Sequence, residues 1–420
     1  MARRYFGTDG VRGIVGEDLT PELVEQVGRA ATIWAGGGRV LVGRDTRGSG
    51  PGLEQALARG IVSAGGTAVL GGVLPTPAVA LFALDLGAVV SASHNPPQYN
   101  GVKFFDREGA KLTDEAEERI EALLGDTGPG GGAIERIEDV ADRYLEHVLA
   151  RFGSDLSWLQ VTVDCANGAF AALAPEAFRR LGAEVKAIGI EPDGANINTG
   201  CGATDLRALQ QAVIASGADL GVAFDGDGDR MLAVDAVGNC VDGDQIIAIL
   251  ALHLGVDLVV VTSMTNLGFH KLMEERGIRV VTTDVGDRYV LEALRRDGGK
   301  LGGEQSGHVI WLDRHVSGDG LVAALLLCAA LGGRTLSEAA AVMPRFPQAK
   351  ENVPVAAGEL PAGLLDELAR INDGLGKTAR VLVRPSGTEP VIRVLAEAES
   401  DEAASELCGT ISALVRRELG

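Results

Sequence analysis

Three aspartates alternate with glycines in the segment Asp225-Gly226-Asp227-Gly228-Asp229-Arg230, called the metal loop below. The glycines allow the loop to fold so that alternate side chains converge. Two carboxylates about 4 Å apart repel each other by roughly 4 kcal/mol at an effective dielectric constant of 20. A cation relieves that repulsion, and ligands that are all oxygen atoms favour Mg²⁺. An EF-hand is excluded because its sixth and twelfth positions would be Arg230 and Ala236. The segment predicts a magnesium site, with a solvated acidic turn as the alternative.

A candidate nucleophile lies in the serine loop, Ser91-Ala92-Ser93-His94-Asn95-Pro96, directly after the apolar run 88–90. We expect Ser93 in an exposed turn at the carboxyl end of a buried strand. On this stretch alone, a polar turn without chemistry is equally compatible with the residues. Three carboxylates leave Mg²⁺ short of ligands, however, and phosphate oxygens commonly complete its shell. Phosphoserine at position 93 would supply such oxygens.

The sugar loop, Gly303-Glu304-Gln305-Ser306-Gly307-His308, joins a carboxylate, a hydroxyl and an imidazole. If the loop is locally extended, Glu304 and Ser306 share one face and could hold adjacent sugar hydroxyls. His308 could then act as a general acid or base. The alternative is a polar loop with a surface histidine.

The phosphate loop, Arg384-Pro385-Ser386-Gly387-Thr388-Glu389-Pro390, combines a guanidinium with two hydroxyls and a glycine. A planar guanidinium binds two oxygens of a phosphate dianion, while hydroxyl and backbone donors bind the rest. Arg393 follows closely and could add a second charge. An exposed turn is equally compatible with these residues taken alone.

Two further segments are weaker candidates. Phe6 to Gly13 contains three glycines and Arg12, so its backbone could approach a ligand closely, although a solvated turn is the simpler interpretation. Asp284 to Arg288 is a polar turn that could touch a ligand, but the start of a helix is favoured.

The elements that must position these loops follow an α/β pattern. Apolar strands and helices alternate in three rounds, and each round presents a polar loop at the carboxyl end of a strand, where open α/β sheets place their sites. Asn100-Gly101 predicts a turn, and Pro344 to Pro354, with three prolines, predicts a linker. Two strands and a final helix beyond the linker predict a small α+β domain. The predicted domains are 1–150, with the serine loop; 151–247, with the metal loop; 248–345, with the sugar loop; and 346–420, with the phosphate loop.

Composition limits the classes of partner. The 420 residues carry a formal net charge of -20, which argues against nucleic acid and anionic membrane surfaces. The longest apolar run, Leu321 to Leu331, is too short to span a bilayer, and we expect no signal peptide. Five scattered cysteines without metal-ligand spacing indicate reduced thiols. We therefore expect a cytoplasmic protein that acts on a small molecule.

The four loops resemble, in order and across the whole chain, those of the α-D-phosphohexomutase family. The opening Tyr5 to Gly13 and Gln305 are most similar to the branch that acts on glucosamine phosphate. Relatives that act on mannose or glucose phosphates more often have Met at the position of Gln305. One departure is Pro97-Gln98-Tyr99, where the family more often has aromatic and acidic residues; we expect altered loop packing without loss of activity.

The resemblance implies four domains around a central cleft: three similar mixed-sheet α/β domains and a C-terminal α+β domain. It implies one Mg²⁺ per subunit, bound by Asp225, Asp227, Asp229 and a phosphate oxygen on Ser93. The implied reaction converts glucosamine 6-phosphate to glucosamine 1-phosphate on the route to UDP-N-acetylglucosamine. It would pass through phosphoserine at Ser93 and a glucosamine 1,6-bisphosphate, with sugar 1,6-bisphosphate as activator.

The same resemblance implies residue roles. The catalytic residues would be Ser93, Lys103, His308 and Arg12. The substrate-binding residues would be Glu304, Ser306, Arg230 and His94. The phosphate-binding residues would be Arg384, Ser386, Gly387, Thr388 and Arg393. The partner would be a small-molecule hexosamine phosphate, and the protein a monomer or homodimer.

Three alternatives remain open at this point. The protein could be a phosphomannomutase/phosphoglucomutase, against which Gln305 is a modest argument. It could also be a metal-dependent sugar phosphatase or an inactive sugar-phosphate-binding protein. The presence of every candidate reactive group argues against an inactive relative.

Overall fold

A computed structural model describes residues 4–7, 9–355, 360–385 and 391–419. Among the described residues, positions up to Ser263 together with Val280–Ala341 form one compact unit. Met264–Arg279 and the residues from Val342 onward form a second. None of the helices in the described part of the chain combines the length and apolar character needed to cross a bilayer. The four predicted domain boundaries stay a prediction.

The first sheet has the strand order β1-β2-β6-β5-β3-β4-β7. Its strands are β1 (Phe6–Gly7), β2 (Gly10–Ile14), β3 (Arg39–Arg44), β4 (Thr67–Val73), β5 (Leu86–Val90), β6 (Tyr99–Asp106) and β7 (Ala133–Arg136). The pairs β3–β4, β3–β5 and β4–β7 are parallel, whereas β5–β6, β6–β2 and β2–β1 are antiparallel, so the sheet is mixed as predicted. The helices of this region are α1 (Pro21–Trp34), α2 (Gly50–Ser63), α3 (Thr76–Leu81), α4 (Asp114–Ala122) and α5 (Val140–Phe152).

The second and third sheets are also mixed. The second has the order β12-β11-β10-β8-β9 and contains β8 (Gln160–Asp164), β9 (Glu184–Ile188), β10 (Leu220–Phe224), β11 (Met231–Asp235) and β12 (Cys240–Val241). The third has the order β14-β13-β15-β16 and contains β13 (Leu258–Thr262), β14 (Arg279–Thr283), β15 (Leu301–Gly303) and β16 (Val309–Trp311). The helices along this part of the chain are α6 (Leu173–Arg180), α7 (Arg207–Ser216), α8 (Gly243–Leu254), α9 (Leu267–Glu275), α10 (Asp287–Asp297), α11 (Gly320–Leu331) and α12 (Leu336–Ala340), with a 3₁₀ turn at Gly202–Thr204. Of these, α9 belongs to the second compact unit.

The second compact unit contains a three-stranded antiparallel sheet of order β17-β19-β18. Its elements are β17 (Gln348–Pro354), α13 (Ala362–Leu375), β18 (Arg380–Pro385), β19 (Val391–Glu397) and α14 (Asp401–Leu419). The apolar face of α14 packs on the sheet through Cys408, Ile411 and Val415, which agrees with the predicted α+β domain.

Two predictions about local structure are wrong. Asn100-Gly101 is not a turn but part of β6, where Asn100 is buried and Gly101 pairs with Arg12 of β2. Pairing on both edges outweighs the turn preference of the dipeptide. The proposed linker is largely β17, which pairs with β19 over its whole length. As an edge strand, β17 tolerates proline.

The strands that precede the site are buried on both faces. Every residue of β5, β10 and β13 is buried, which explains their continuous apolar sequences. Helix ends are fixed locally: Thr20 caps α1 and Asp242 forms a capping box with Gln245 at the start of α8. The start of α10 at Asp287 agrees with the helix start expected from the sequence.

Helices α1 and α2 approach each other so closely that a side chain at Gly60 would collide with backbone. A Cβ atom there would lie 2.1 Å from the Glu25 carbonyl oxygen. We expect Gly60→Ala to lower the free energy of unfolding by about 1–3 kcal/mol through overpacking. Urea denaturation followed by circular dichroism would measure the change. Gly52→Ala is the matched control in the same helix, because no described heavy atom lies within 4 Å of its added Cβ. We expect the control to be neutral or to stabilise by about 0.5 kcal/mol, and equal losses in both variants would contradict the close approach.

Candidate active site

Three strand ends deliver the reactive loops to one site in the larger unit. The serine loop follows β5, the metal loop follows β10, and the sugar loop joins β15 to β16. Each is a connection at the end of a buried strand, so the sheets hold the loops while leaving their side chains outside the strand ladder.

The three aspartates of the metal loop converge as predicted. Ligand oxygens of Asp225, Asp227 and Asp229 all lie within 4.8 Å of one another, and all three residues are buried. Burial, followed by the charges of Asp229 and Asp227, raises the pKa of Asp225 well above its usual range. Within the described residues, the buried Oδ1 atoms of Asp227 and Asp229 have no hydrogen-bond partner. Clustered buried oxygens with unused lone pairs fit a hard divalent cation.

Lys103 projects from β6 into this cluster. Its Nζ lies 2.6 Å from Asp227 Oδ2 and 3.3 Å from Asp229 Oδ2. Burial disfavours the ammonium, but the surrounding carboxylates, with Asp227 first, outweigh that cost and raise the pKa of Lys103. For Asp229, burial favours the neutral acid and by itself would raise the pKa. The charges of Lys103 and then His308 outweigh burial and hold the pKa of Asp229 well below its usual range. Lys103 is therefore protonated in this arrangement.

Ser93 is placed against the metal loop, and it is buried rather than exposed as the sequence suggested. Only 1% of the residue is accessible, because loops from other strands cover the turn. Its Oγ donates a hydrogen bond of 2.6 Å to Asp225 Oδ2. His94 Nδ1 lies 3.4 Å from the same hydroxyl. Burial, then Arg230 and Arg12, lowers the pKa of His94 to about 4, so its imidazole is neutral at pH 7.

The sugar loop brings its three predicted side chains to the same region. Ser306 Oγ lies 3.5 Å from Glu304 Oε2, and Glu304 Oε1 accepts a hydrogen bond from the Gly286 backbone. His308 lies with Nε2 3.5 Å from Asp287 Oδ2 and Nδ1 3.8 Å from Asp229 Oδ1. Burial lowers the pKa of His308, but Asp287 and Asp229 outweigh burial and raise it overall.

Burial, followed by the charge of Asp287, raises the pKa of Glu304. Gln305 lies in the same loop but is directed elsewhere. Its Nε2 donates to Asp244 Oδ2 of α8 at 3.1 Å. Gln305 therefore acts here as a link between the sugar loop and α8.

The two predicted arginines of this unit are also near the cluster. Arg12 makes an ion pair with Asp9 at the antiparallel β1–β2 connection. Arg230 Nε lies 3.9 Å from Asp229 Oδ1, and about a quarter of its side chain is exposed. Both guanidiniums also depress the pKa of His94, which indicates that their charges reach the serine loop.

Several residues of the site were missed or given little weight from the sequence. Lys111 Nζ lies 2.5 Å from Asp9 Oδ1 and 2.5 Å from Asp287 Oδ2. Thr76 Oγ1 donates to Asp227 Oδ2 at 2.7 Å. Asp287 belongs to a turn flagged as a weak candidate, whereas nothing in the local sequence distinguishes Lys111 or Thr76.

The second unit contains the two predicted phosphate-binding arginines, Arg384 and Arg393. Arg384 of β18 and Arg393 of β19 are direct cross-strand neighbours, and Asn352 of β17 faces Arg393 on the other side. A cavity of 420 Å³ is lined by these three residues and by Lys350. The remaining predicted phosphate-loop residues Ser386, Gly387 and Thr388 lie outside the described residues.

Comparison with known proteins gives matches over nearly the whole chain. Four sequence models of phosphoglucomutase/phosphomannomutase match: alpha/beta/alpha domain I at residues 3–128, domain II at 142–238, domain III at 242–346 and the C-terminal domain at 347–414. The phosphoglucosamine mutase of Pelotomaculum thermopropionicum is 48% identical, over 98% of each chain. That of Thermobifida fusca is also 48% identical, over 99% of each chain.

A crystal structure of a phosphoglucomutase/phosphomannomutase family protein from Burkholderia thailandensis superposes with a TM-score of 0.87. It is 26% identical in sequence, and the match covers 98% of this chain and 97% of that one. Sequence and fold agree along the whole length. The chain therefore belongs to the phosphoglucosamine mutase branch of the α-D-phosphohexomutase family.

Proposed function

We propose that this protein is a phosphoglucosamine mutase, an isomerase that interconverts glucosamine 6-phosphate and glucosamine 1-phosphate. The observation that carries the proposal is the 2.6 Å hydrogen bond from Ser93 Oγ to Asp225, which joins a nucleophile to the aspartate cluster. The substrate assignment is supported by similarity to phosphoglucosamine mutases over nearly the whole chain. The route would pass through phosphoserine at Ser93 and glucosamine 1,6-bisphosphate.

The aspartate cluster suits one Mg²⁺ per chain. Asp225, Asp227 and Asp229 would hold it, together with a phosphate oxygen on Ser93. The ion would neutralise charge that develops on the transferring phosphoryl group. The buried Oδ1 atoms of Asp227 and Asp229, which accept no hydrogen bond from the described residues, support this assignment over an empty acidic turn.

The protein's own groups then manage charge and protons. As the bond between phosphorus and Ser93 Oγ breaks, a bond to the sugar oxygen forms, the hydroxyl proton leaves the sugar, and a proton returns to Ser93. We assign proton donation toward Ser93 to Lys103, whose ammonium is held by Asp227 and Asp229 in the same cluster. His308, held between Asp229 and Asp287, would exchange a proton with the sugar hydroxyl. Arg12 would add positive charge near the transferring group.

Glu304, Ser306, Arg230 and His94 are the remaining candidates for sugar contacts in this unit. Glu304 and Ser306 present adjacent oxygens that could pair with neighbouring hydroxyls. Arg384 and Arg393, with Ser386, Gly387 and Thr388, would bind the phosphate that is not being transferred. Sugar 1,6-bisphosphate would load the serine and so act as activator.

We further propose that the four domains divide as predicted from the sequence. The five cysteines, all within the described residues, are free thiols, which supports a reducing compartment such as the cytoplasm.

The partner would be a hexosamine phosphate, with the protein a monomer or homodimer.

Ser93→Ala should lower mutase turnover by at least about 10⁴-fold, because it removes the group that carries the phosphoryl. Turnover would be measured as glucosamine 1-phosphate formed from glucosamine 6-phosphate with Mg²⁺ and a trace of sugar 1,6-bisphosphate. Intact mass should show one added phosphate on the wild type and none on the variant. Ser216→Ala, on the exposed surface of α7, is the matched control and should keep full activity.

The same assay, repeated with mannose 6-phosphate and glucose 6-phosphate, tests the substrate. Faster conversion of mannose or glucose phosphate would transfer the assignment to a phosphomannomutase/phosphoglucomutase. Release of free phosphate without sugar 1-phosphate would indicate a phosphatase and contradict the mutase proposal. A near-normal rate of Ser93→Ala would remove Ser93 from its role.

Metal removal provides an independent test. EDTA should abolish turnover, and excess Mg²⁺ should restore it. Asp227→Asn should lower turnover by more than about 100-fold. Losing an outer-shell partner of a metal costs up to about 100-fold, and Asp227 would be a direct ligand. Mg²⁺ should also raise the thermal unfolding midpoint of the wild type, since a ligand that binds only the folded state stabilises it, but not that of Asp227→Asn. Asp155→Asn, at an exposed position, is the control and should keep the wild-type turnover and the wild-type response to Mg²⁺. An Asp227→Asn variant with the wild-type midpoint response to Mg²⁺ would argue against this metal site.

A further inference from the structure

The serine loop has a strained backbone at its central residue. Ser93 has φ of +49°, in the left-handed region that non-glycine residues seldom occupy. Such a conformation costs about 1–3 kcal/mol and persists only where the surroundings fix it. The groups that hold Ser93 in this conformation are therefore part of the device that aims its hydroxyl.

Arg47 uses four of its five donors on carbonyl oxygens, three of them in the serine loop and the fourth at Tyr99, where β6 begins. Its side chain is fully buried. Nη2 donates to Ser93 O at 3.0 Å and to Asn95 O at 2.7 Å. Nη1 donates to Pro96 O at 2.5 Å and to Tyr99 O at 2.9 Å. A planar guanidinium can make this set of contacts, whereas a lysine ammonium has only three donors and a different geometry.

The fifth donor of Arg47 connects it to the other end of the same turn. Nε donates to Asp45 Oδ2 at 2.9 Å. The same carboxylate oxygen accepts from Ser91 Oγ at 2.6 Å, and Ser91 Oγ accepts from the Ser93 backbone N–H at 2.8 Å. The N–H and the carbonyl of Ser93 are thus both fixed by one buried ion pair.

Asn198 holds the loop from the second sheet's side. Its Nδ2 donates to Ser93 O at 2.8 Å and to Asn95 O at 3.1 Å. The metal loop packs directly on this contact: a Cβ on Gly226 would lie 2.8 Å from Ser93 O and 2.9 Å from Asn198 Nδ2. The serine loop and the metal loop therefore share one tightly packed junction.

We propose that Arg47 and Asn198 are positioning residues for phosphoryl transfer, which fix Ser93 Oγ against the aspartate cluster by holding its carbonyl in the strained turn. The inference rests on the proposed mutase function. Its physical reason is that catalysis of phosphoryl transfer is mainly positioning, and a displacement of about 1 Å can cost about 100-fold in rate. Neither residue needs to touch the substrate.

Asn198→Ala is the decisive variant, because it removes two hydrogen bonds without leaving a buried charge. Asn198→Gly removes the same bonds and tolerates the left-handed φ of +58° at this position, so it should give the same result if the lost bonds and not backbone strain are the cause. We expect kcat to fall about tenfold or more with KM changed by less than about threefold, as for an interaction that matters in the transition state. Amide hydrogen exchange in residues 93–99 should become about tenfold faster. Asn196→Ala is the matched control: it also loses two hydrogen bonds in the same segment, to Glu191 and Asp193, and should change neither readout.

Arg47→Lys keeps the charge next to Asp45 and tests the planar fork. We expect Arg47→Lys to lower kcat and to speed amide exchange in the loop as Asn198→Ala does, because charge alone does not replace the planar guanidinium. Leu57→Ala, a fully buried position in α2, is the stability control, with an expected loss of about 2–5 kcal/mol and unchanged loop exchange.

The failures of the two proposals can be told apart. A wild-type protein without mutase activity would contradict the proposed function. An active wild type with unchanged kcat and unchanged loop exchange in Asn198→Ala would overturn the positioning role. Equal effects in Asn198→Ala and Asn196→Ala would also overturn it, since a general loosening of the segment would then explain the loss.

Discussion

The enclosure of three aspartates in one buried loop is the constraint on which the rest of the site depends. Neighbouring carboxylates at such distances repel by several kcal/mol, by the same Coulomb estimate of roughly 4 kcal/mol per pair at 4 Å. Lys103 offsets part of this repulsion at Asp227 and Asp229. At Asp225 Oδ2 the partner is instead the neutral hydroxyl of Ser93, and burial, followed by the charges of Asp229 and Asp227, raises the pKa of Asp225. The loop is stable only in surroundings that supply positive charge.

Much of the site was accessible from the sequence because the reactive residues are contiguous within short loops. The acidic alternation of the metal loop and the hydroxyl after β5 are local patterns with a physical meaning. The strands that carry them are continuous apolar runs, so their burial was expected as well. What local patterns could not give was the partner of each group. Ser93 and Asp225 are 132 residues apart, and only the pairing of sheets brings them to 2.6 Å.

The errors have the same origin. Asn100-Gly101 has the composition of a turn, yet β6 pairs with β2 on one edge and β5 on the other, and this pairing decides its conformation. Residues 348–354 contain a proline and few apolar residues, yet they form an edge strand because their backbone pairs with that of β19. Lys111 and Arg47 gave no signal because an isolated cation in a sequence has the appearance of a surface residue. Their importance comes entirely from burial beside distant carboxylates and carbonyls.

Opposite charges alternate through the centre of the larger unit, and this pattern explains how an acidic protein can handle a phosphate. Lys111 bridges Asp9 and Asp287, and His308 lies between Asp287 and Asp229. Each cation therefore faces carboxylates on two sides. The charges around the site are thus paired, although the whole chain has a net charge of -20. A phosphoserine contributes a charge of about -1.5 to -2 and a magnesium ion contributes two positive charges. Under the proposed function the two additions nearly cancel. Binding of both would therefore change the total charge of the site little. The surrounding ion pairs can then keep their arrangement while phosphoryl groups are exchanged.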